Sequence, residues 1–213
     1  VAHAAISGFQ QAIRQLNIPA TLFLGQNDGS LMSLEYALQY PIFTIASGPA
    51  NSIRGAAALS QLGDEQDAIV VDIGGTTTDI GVLHKGFPRE SQLAVEIGGV
   101  ITNFRMPDLI SVGLGEGSRV HITDEVRVGT DSVGYRLTQE AKVFGGQLLT
   151  AKYLAVAAGR IRLVDASKVQ AVSKTTIEKG LAFIQHSLED YVDRMKLSAE
   201  SVPVVAVGGG IVY

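Results

Sequence analysis

Apolar residues open the 213-residue chain at helical spacing, with Ala5, Phe9, Ile13 and Leu16 along one stripe. This predicts an amphipathic helix, entered at Val1 without a Met start. Short apolar runs and turn signals then alternate. Residues 21–24 read as a strand, Asn27-Asp28-Gly29 as a turn, 31–38 as a short helix and 42–46 as a second strand. Ser47-Gly48-Pro49 breaks that strand, and Ser47 or Asn51 is placed to cap a helix over 52–62.

Residues 68–72 form a continuous apolar run ending in Asp72, the pattern of a central strand covered on both faces. After Gly74-Gly75 the run 76–83 is β-branched and alternating, so the unit is strand–turn–strand. Strands are expected over 95–104 and 109–114, with short ones near Val120 and Val126. From Thr138 the pattern turns helical. Ile177, Leu181, Ile184, Leu188, Tyr191 and Met195 recur at three- and four-residue steps, predicting a long amphipathic helix. A strand over 202–207 leads into Gly208-Gly209-Gly210, and the chain stops soon after, at Tyr213. No internal repeat or heptad run is present. The elements predict an α/β protein with a mixed sheet, and both ends read as cuts in a longer chain.

Composition narrows the function classes. With 46% hydrophobic and 18% charged residues the chain can bury a core and is no disordered tail. A net charge of −4 lacks the basic footprint of a nucleic-acid binder, so no nucleic-acid partner is expected. No apolar run approaches a membrane span, and no leader is evident, so a soluble, cytoplasmic protein is the expectation. Cys is absent, which removes disulfides and thiolate metal sites. Gly occurs 24 times, against roughly 15 at average usage, and the excess clusters at 74–75, 98–99, 113–117 and 208–210. Clustered glycine marks tight turns or close approach of a ligand to the backbone.

The stretch Asp72-Ile73-Gly74-Gly75-Thr76-Thr77-Thr78-Asp79 has the makings of a metal–phosphate site. Glycines let backbone N–H groups reach phosphate oxygens, and threonine hydroxyls add donors. Asp72 can hold Mg2+ through its water shell, because Mg2+ takes few carboxylates and keeps several waters. Two aspartates bracketing glycines and threonines favour this reading over a plain Gly-Gly hairpin. A P-loop is excluded because no Gly-Lys-Ser/Thr follows. A dinucleotide fingerprint is excluded because a strand, not a helix, comes next. At the other end of the chain, a strand opening into Gly208-Gly209-Gly210 can admit a flat adenine against bare backbone. The order of the two glycine loops resembles the second lobe of the actin, hexokinase and heat-shock-protein ATPase fold, a ribonuclease H-like α/β lobe with a mixed sheet flanked by helices.

Four stretches together resemble the hydantoinase A / 5-oxoprolinase family: Asn27-Asp28-Gly29-Ser30-Leu31-Met32, Ser47-Gly48-Pro49-Ala50, residues 71–80 and residues 112–118. The likeness runs from about residue 20 to the C-terminus. It implies use of ATP and Mg2+ to open cyclic amides such as hydantoins or 5-oxoproline by phosphorylating the carbonyl oxygen. It also implies a second, hydantoinase B-like subunit as a partner. The family's first phosphate loop lies in an N-terminal lobe outside this chain. Residues from about 66 to 213 then correspond to the second ATPase lobe, with 1–65 leading into it. Under this resemblance Asp72 and Asp79 are the catalytic carboxylates. Gly74, Gly75, Thr76 and Thr77 hold phosphate, and Gly208, Gly209 and Gly210 complete the nucleotide site.

Three positions depart from the family pattern. Ile110 stands where a His is frequent, Glu116 where Gly is usual, and Tyr153 where the family has Asp. Two further readings use the same lobe: a ketone carboxylase subunit, and a non-catalytic scaffold in which nucleotide closes two lobes. His3, His84, His121 and His186 are scattered without metal-ligand spacing. Glu189, Asp190 and Asp193 read as the solvated face of the long helix. Ser47 lacks a paired His and reads as a cap or turn residue rather than a nucleophile.

Overall fold

The structure, a computed structural model, describes residues 2–60, 66–91, 95–97, 99–102, 106–163, 172–196 and 198–213. Its helices are α1 (Ala2–Gln15), α2 (Leu34–Gln39), α3 (Ser47–Ser60), α4 (Leu137–Glu140), α5 (Ala151–Ala157) and α6 (Lys174–Met195). Its strands are β1 (Phe23–Gly25), β2 (Leu31–Ser33), β3 (Ala68–Ile73), β4 (Thr78–His84), β5 (Phe87–Pro88), β6 (Val95–Ile97), β7 (Val100–Thr102), β8 (Leu109–Val112), β9 (Ser118–Ile122), β10 (Val126–Ser132) and β11 (Val204–Val207). The expected mixed α/β character holds. Contacts divide the chain into two units, Val1–Asp67 with Leu83–Asp108, and Ala68–Val82 with Leu109–Tyr213.

In the first unit Ile6 of α1 packs with Met32, Leu34 and Ala37 in a small core. The predicted turn is present. Gln26 N–H donates to Ser30 O over 2.8 Å, and Asp28 Oδ1 accepts from the backbone N–H and the hydroxyl of Ser30. Two sequence expectations fail nearby. Residues 31–33 pair with β1 as a strand, and the helix starts only after Ser33, whose hydroxyl accepts from Tyr36 N–H over 3.2 Å. Residues 42–46 are not a strand; Pro41–Thr44 form a 3-10 turn with Pro at its first position. The ring of Pro41 presets a helical φ, and that outweighs the β-branched side chains that follow. α3 begins at Ser47, earlier than residue 52, because Pro49 falls in its first turn, where no N–H is needed. Ser47 Oγ donates to Thr44 O over 2.8 Å, the turn role expected of it. The expected strand over 95–104 is a hairpin of β6 and β7. Leu62, Gly98 and Phe104, which fell within predicted features, lie outside the described residues.

The second unit is built on β3, where Ala68, Ile69, Val70, Val71 and Ile73 are buried and Asp72 alone is half-buried. β11 runs parallel to β3, with Val204 opposite Ile69 and Val207 opposite Asp72. β4 neighbours β3 on its other side, and β8 pairs antiparallel with β4, Thr78 opposite Val112. The sheet is therefore mixed. Beyond Val82, β4 belongs to the first unit, and its last residues, Leu83 and His84, pair with β5 there. β9 and β10 form a separate antiparallel hairpin with a register shift before Ser132.

The periodic residues of α6 join two cores of this unit. Leu181 and Ile184 pack with Leu114, Val120, Val128, Ala151 and Leu154, while Met195 lies with Ile69, Val71, Ile73, Ile80 and Val82. Ser173 caps α6, accepting from Thr176 N–H over 3.1 Å. Glu189, Asp190 and Asp193 are exposed, as their positions on the helix require. Among the described residues no helix is long and apolar enough to cross a membrane.

Candidate functional site

The site grows from the C-terminal end of β3. Its continuous apolar run is drawn into the sheet, and the chain reverses over Gly74–Thr77 before β4 begins. Gly74 N–H donates to Thr77 O over 2.9 Å and closes this turn. Gly75, Thr76 and Thr77 are exposed at its tip. A side-chain carbon built on Gly75 would meet no other atom within 4 Å, so the space above it is open. Thr78 is fully buried and anchors the turn from below, its hydroxyl donating to Leu114 O over 2.5 Å.

The glycine-rich segment 113–118 forms the second wall. Glu116 N–H donates to Gly74 O over 3.0 Å and Gly117 N–H to Gly75 O over 2.7 Å. This backbone pairing requires Gly115, where an added Cβ would stand 2.7 Å from Gly74 O and from Thr76. Ser118 is buried and accepts from Gly115 N–H over 2.8 Å, which fixes the segment's curvature.

The third wall comes from β11. Its parallel register puts Val207 beside Asp72, so the following glycines turn across the end of β3. Gly210 N–H donates to Ile73 O over 3.0 Å. Gly208 has φ +88°, and a Cβ there would collide with Ile73 O and stand 2.6 Å from Asp72 Oδ1. The structure thus brings together Asp72, Gly74, Gly75, Thr76, Thr77, Gly208, Gly209 and Gly210 at the carboxyl ends of adjacent parallel strands. Crevices at such strand ends are where open α/β sheets bind ligands. Asp79 lies half-buried on β4, opposite Ser111. No group of three or more His, Cys, Asp or Glu side chains able to hold a metal occurs among the described residues.

With this geometry in place, comparison with known proteins is decisive. The hydantoinase/oxoprolinase family model matches residues 1–195. The chain belongs to the hydantoinase/oxoprolinase family. Among its relatives, the acetone carboxylase beta subunit of Xanthobacter autotrophicus is 27% identical over 176 residues, covering 71% of this chain and 24% of the relative. An uncharacterized protein of Methanocaldococcus jannaschii is 24% identical over 143 residues, covering 61% and 21%. Nucleotide-free acetone carboxylase shares the fold with a TM-score of 0.68 at 19% identity, over 89% of this chain and 30% of that one. ATP-dependent caprolactamase from Pseudomonas jessenii does so with a TM-score of 0.66 at 18% identity, over 98% and 34%. This chain therefore spans about a fifth to a third of the length of these relatives.

The three departures from the family pattern have distinct fates. Ile110 pairs with Ile80 across the sheet and packs against the core that contains it. Tyr153 is fully buried with Ala141, Val143 and Val156, and burial pushes its hydroxyl above the usual tyrosine range. Both residues serve packing. Glu116 is different: its carboxylate pairs with Lys152 Nζ over 2.9 Å, beside the glycine turn. Sequence reasoning missed Lys152. It also missed Tyr213, whose ring packs against the cores of Leu181 and of Met195, while its hydroxyl is buried without a hydrogen-bond partner among the described residues. Burial first, and the Glu116 charge second, drive that hydroxyl above the ordinary tyrosine range.

Proposed function

We propose that this chain supplies the phosphate-binding second lobe of an actin-like fold, from about residue 66 onward, in an ATP-dependent enzyme that opens cyclic amides of the hydantoin or 5-oxoproline type. The observation that carries the reading is the meeting of two glycine loops at the ends of β3 and β11, locked by the Gly210–Ile73 hydrogen bond.

The residues present suit a nucleoside triphosphate. Gly74 spends its own N–H on the turn, so the donors for phosphate oxygens are the amides at the exposed tip, Gly75 and Thr76, and the hydroxyls of Thr76 and Thr77. The open space over Gly75 admits a phosphate group. Asp72 is a single half-buried carboxylate, suited to a hydrated Mg2+ and not to an all-protein cage. Asp79 is assigned the ordering of metal-bound water or the holding of the hairpin, as the second carboxylate bracketing the turn. Bound Mg2+ would supply charge neutralisation on the phosphates, and the chain's part is positioning. A lactam carbonyl is a poor electrophile; transfer of the terminal phosphoryl group of ATP to its oxygen, with release of ADP, activates the carbon. Water adds there, the ring nitrogen departs with a proton to leave an acyl phosphate, and a second water releases inorganic phosphate.

A ketone-carboxylating reading is favoured by the 27% identity to the acetone carboxylase beta subunit. Either reading includes a partner subunit, of hydantoinase B-like type in the first. The test is ATP hydrolysis by the full-length protein with its co-encoded partner. Stimulation by hydantoin or 5-oxoproline supports ring opening. Stimulation only by a small ketone with bicarbonate moves the assignment to carboxylation.

A further inference from the structure

The ion pair between Glu116 and Lys152 belongs to neither core, yet both side chains are largely withdrawn from water, at 13% and 16% exposure. Withdrawing two charges is costly unless their geometry is fixed. Here it is fixed by backbone. Glu116 N–H is held by Gly74 O, and Glu116 O accepts Lys152 N–H over 2.9 Å. The Glu116 carboxylate then reaches the triple-glycine loop, where Oε1 stands 2.5 Å from the place a Cβ on Gly209 would take. Gly209 gives its side-chain space to this carboxylate. A negative charge is thereby installed between the turn 74–77 and the loop 208–210, with one cation set against it.

We propose that the Glu116–Lys152 pair sets nucleotide affinity: Lys152 is a cation available to the polyphosphate chain, and Glu116 restrains it and opposes the phosphate charge. The inference rests on the phosphate site proposed above. It assigns both residues a positioning and affinity-setting role, and it makes the two single substitutions act in opposite directions. Glu116→Gln leaves an unopposed cation beside the turn and tightens Mg2+-ATP binding. Lys152→Met leaves an unopposed carboxylate there and weakens it. Each shift is on the order of tenfold, the scale of one charge acting over about 10 Å through an effective dielectric of about 20. The double variant removes both charges and returns affinity close to that of the wild type.

The experiment is equilibrium binding of Mg2+-ATP to the full-length protein in these variants and in Lys152→Arg, with the thermal midpoint of each recorded. Opposite shifts in the single variants, near-normal affinity in the double variant and retention in Lys152→Arg are expected. Weakening in both single variants, in step with their loss of stability, would show a structural clamp and overturn the proposal; so would unchanged affinity in both. Gly75→Val is the control for the site itself. If it binds Mg2+-ATP normally, the phosphate site is misplaced and this inference falls with it. If it loses binding while the pair variants fail the pattern, only the inference falls.

Discussion

Gly210 N–H and the carbonyl oxygen of Ile73 are joined by a 3.0 Å hydrogen bond, which holds the triple-glycine loop across the end of β3. It satisfies a carbonyl at the point where that strand leaves the sheet, and it keeps Gly208 against Asp72. Two loops far apart in sequence become one site through this contact and the parallel register beneath it.

Asp72 is the residue on which the metal assignment turns. Asp72→Ala in the complete protein is expected to abolish Mg2+-dependent ATP turnover while the thermal midpoint changes little, since the side chain is half-buried at a strand end and outside either core. Steady-state hydrolysis with calorimetry checks both halves of the expectation. Undiminished turnover would remove Asp72 from the site.

Gly208→Ala tests the loop geometry. With φ at +88° and Ile73 O and Asp72 in the way, the new methyl group forces the backbone to move. A stability loss of about 1–3 kcal/mol is expected in denaturant unfolding, together with weaker nucleotide binding because Asp72 is displaced. A variant as stable as the parent would show that the loop relaxes freely.

Tyr213 carries a buried hydroxyl with no partner among the described residues, so Tyr213→Phe is expected to leave stability unchanged or to raise it. Its pKa in the folded protein lies above that of the unfolded chain, near 10. The folded state therefore resists ionisation. This contribution to stability is complete below about pH 10 and declines as pH rises beyond it. Comparing unfolding midpoints of the parent and Tyr213→Phe from neutral to strongly alkaline pH should show a steeper alkaline decline in the parent. Parallel curves would place the hydroxyl in water.

Ser173→Ala removes the N-cap of α6 and is expected to cost about 1 kcal/mol of stability. Because the hydrogen bonds of Ser173 reach only Thr176 and Ile177 among the described residues, and none of the glycine segments, nucleotide affinity should stay the same. Loss of affinity equal to that of Gly208→Ala would couple the helix cap to the site.

What the sequence made legible follows from local physics. The six periodic apolar residues of α6, the unbroken run of β3 and the glycines of the turn each state their structure within a few positions. The turn at Asn27–Gly29 is equally local. Residues 42–46 have strand-like side chains, but the fixed φ of Pro41 just before them commits the segment to a 3-10 turn. Residues 31–33 misled because their strand pairing with β1 is a tertiary choice that propensity does not record. The parallel pairing of β11 with β3 and the meeting of Glu116 with Lys152 are long-range, and nothing in a short window announces either one. Glu116 did leave a trace, as a charged residue inside a glycine-rich segment.

The measurement that bears most directly on the central claim is Mg2+-ATP hydrolysis by the full-length protein and its Gly75→Val variant, with hydantoin or 5-oxoproline present. Gly75 is suited to the purpose because its side-chain space is open, so valine can fill the phosphate position without disturbing the chain. Stimulated hydrolysis is expected in the parent, and its loss in a variant of equal thermal stability. Equal hydrolysis in both proteins would contradict it and move the phosphate site away from the turn at Gly74–Thr77.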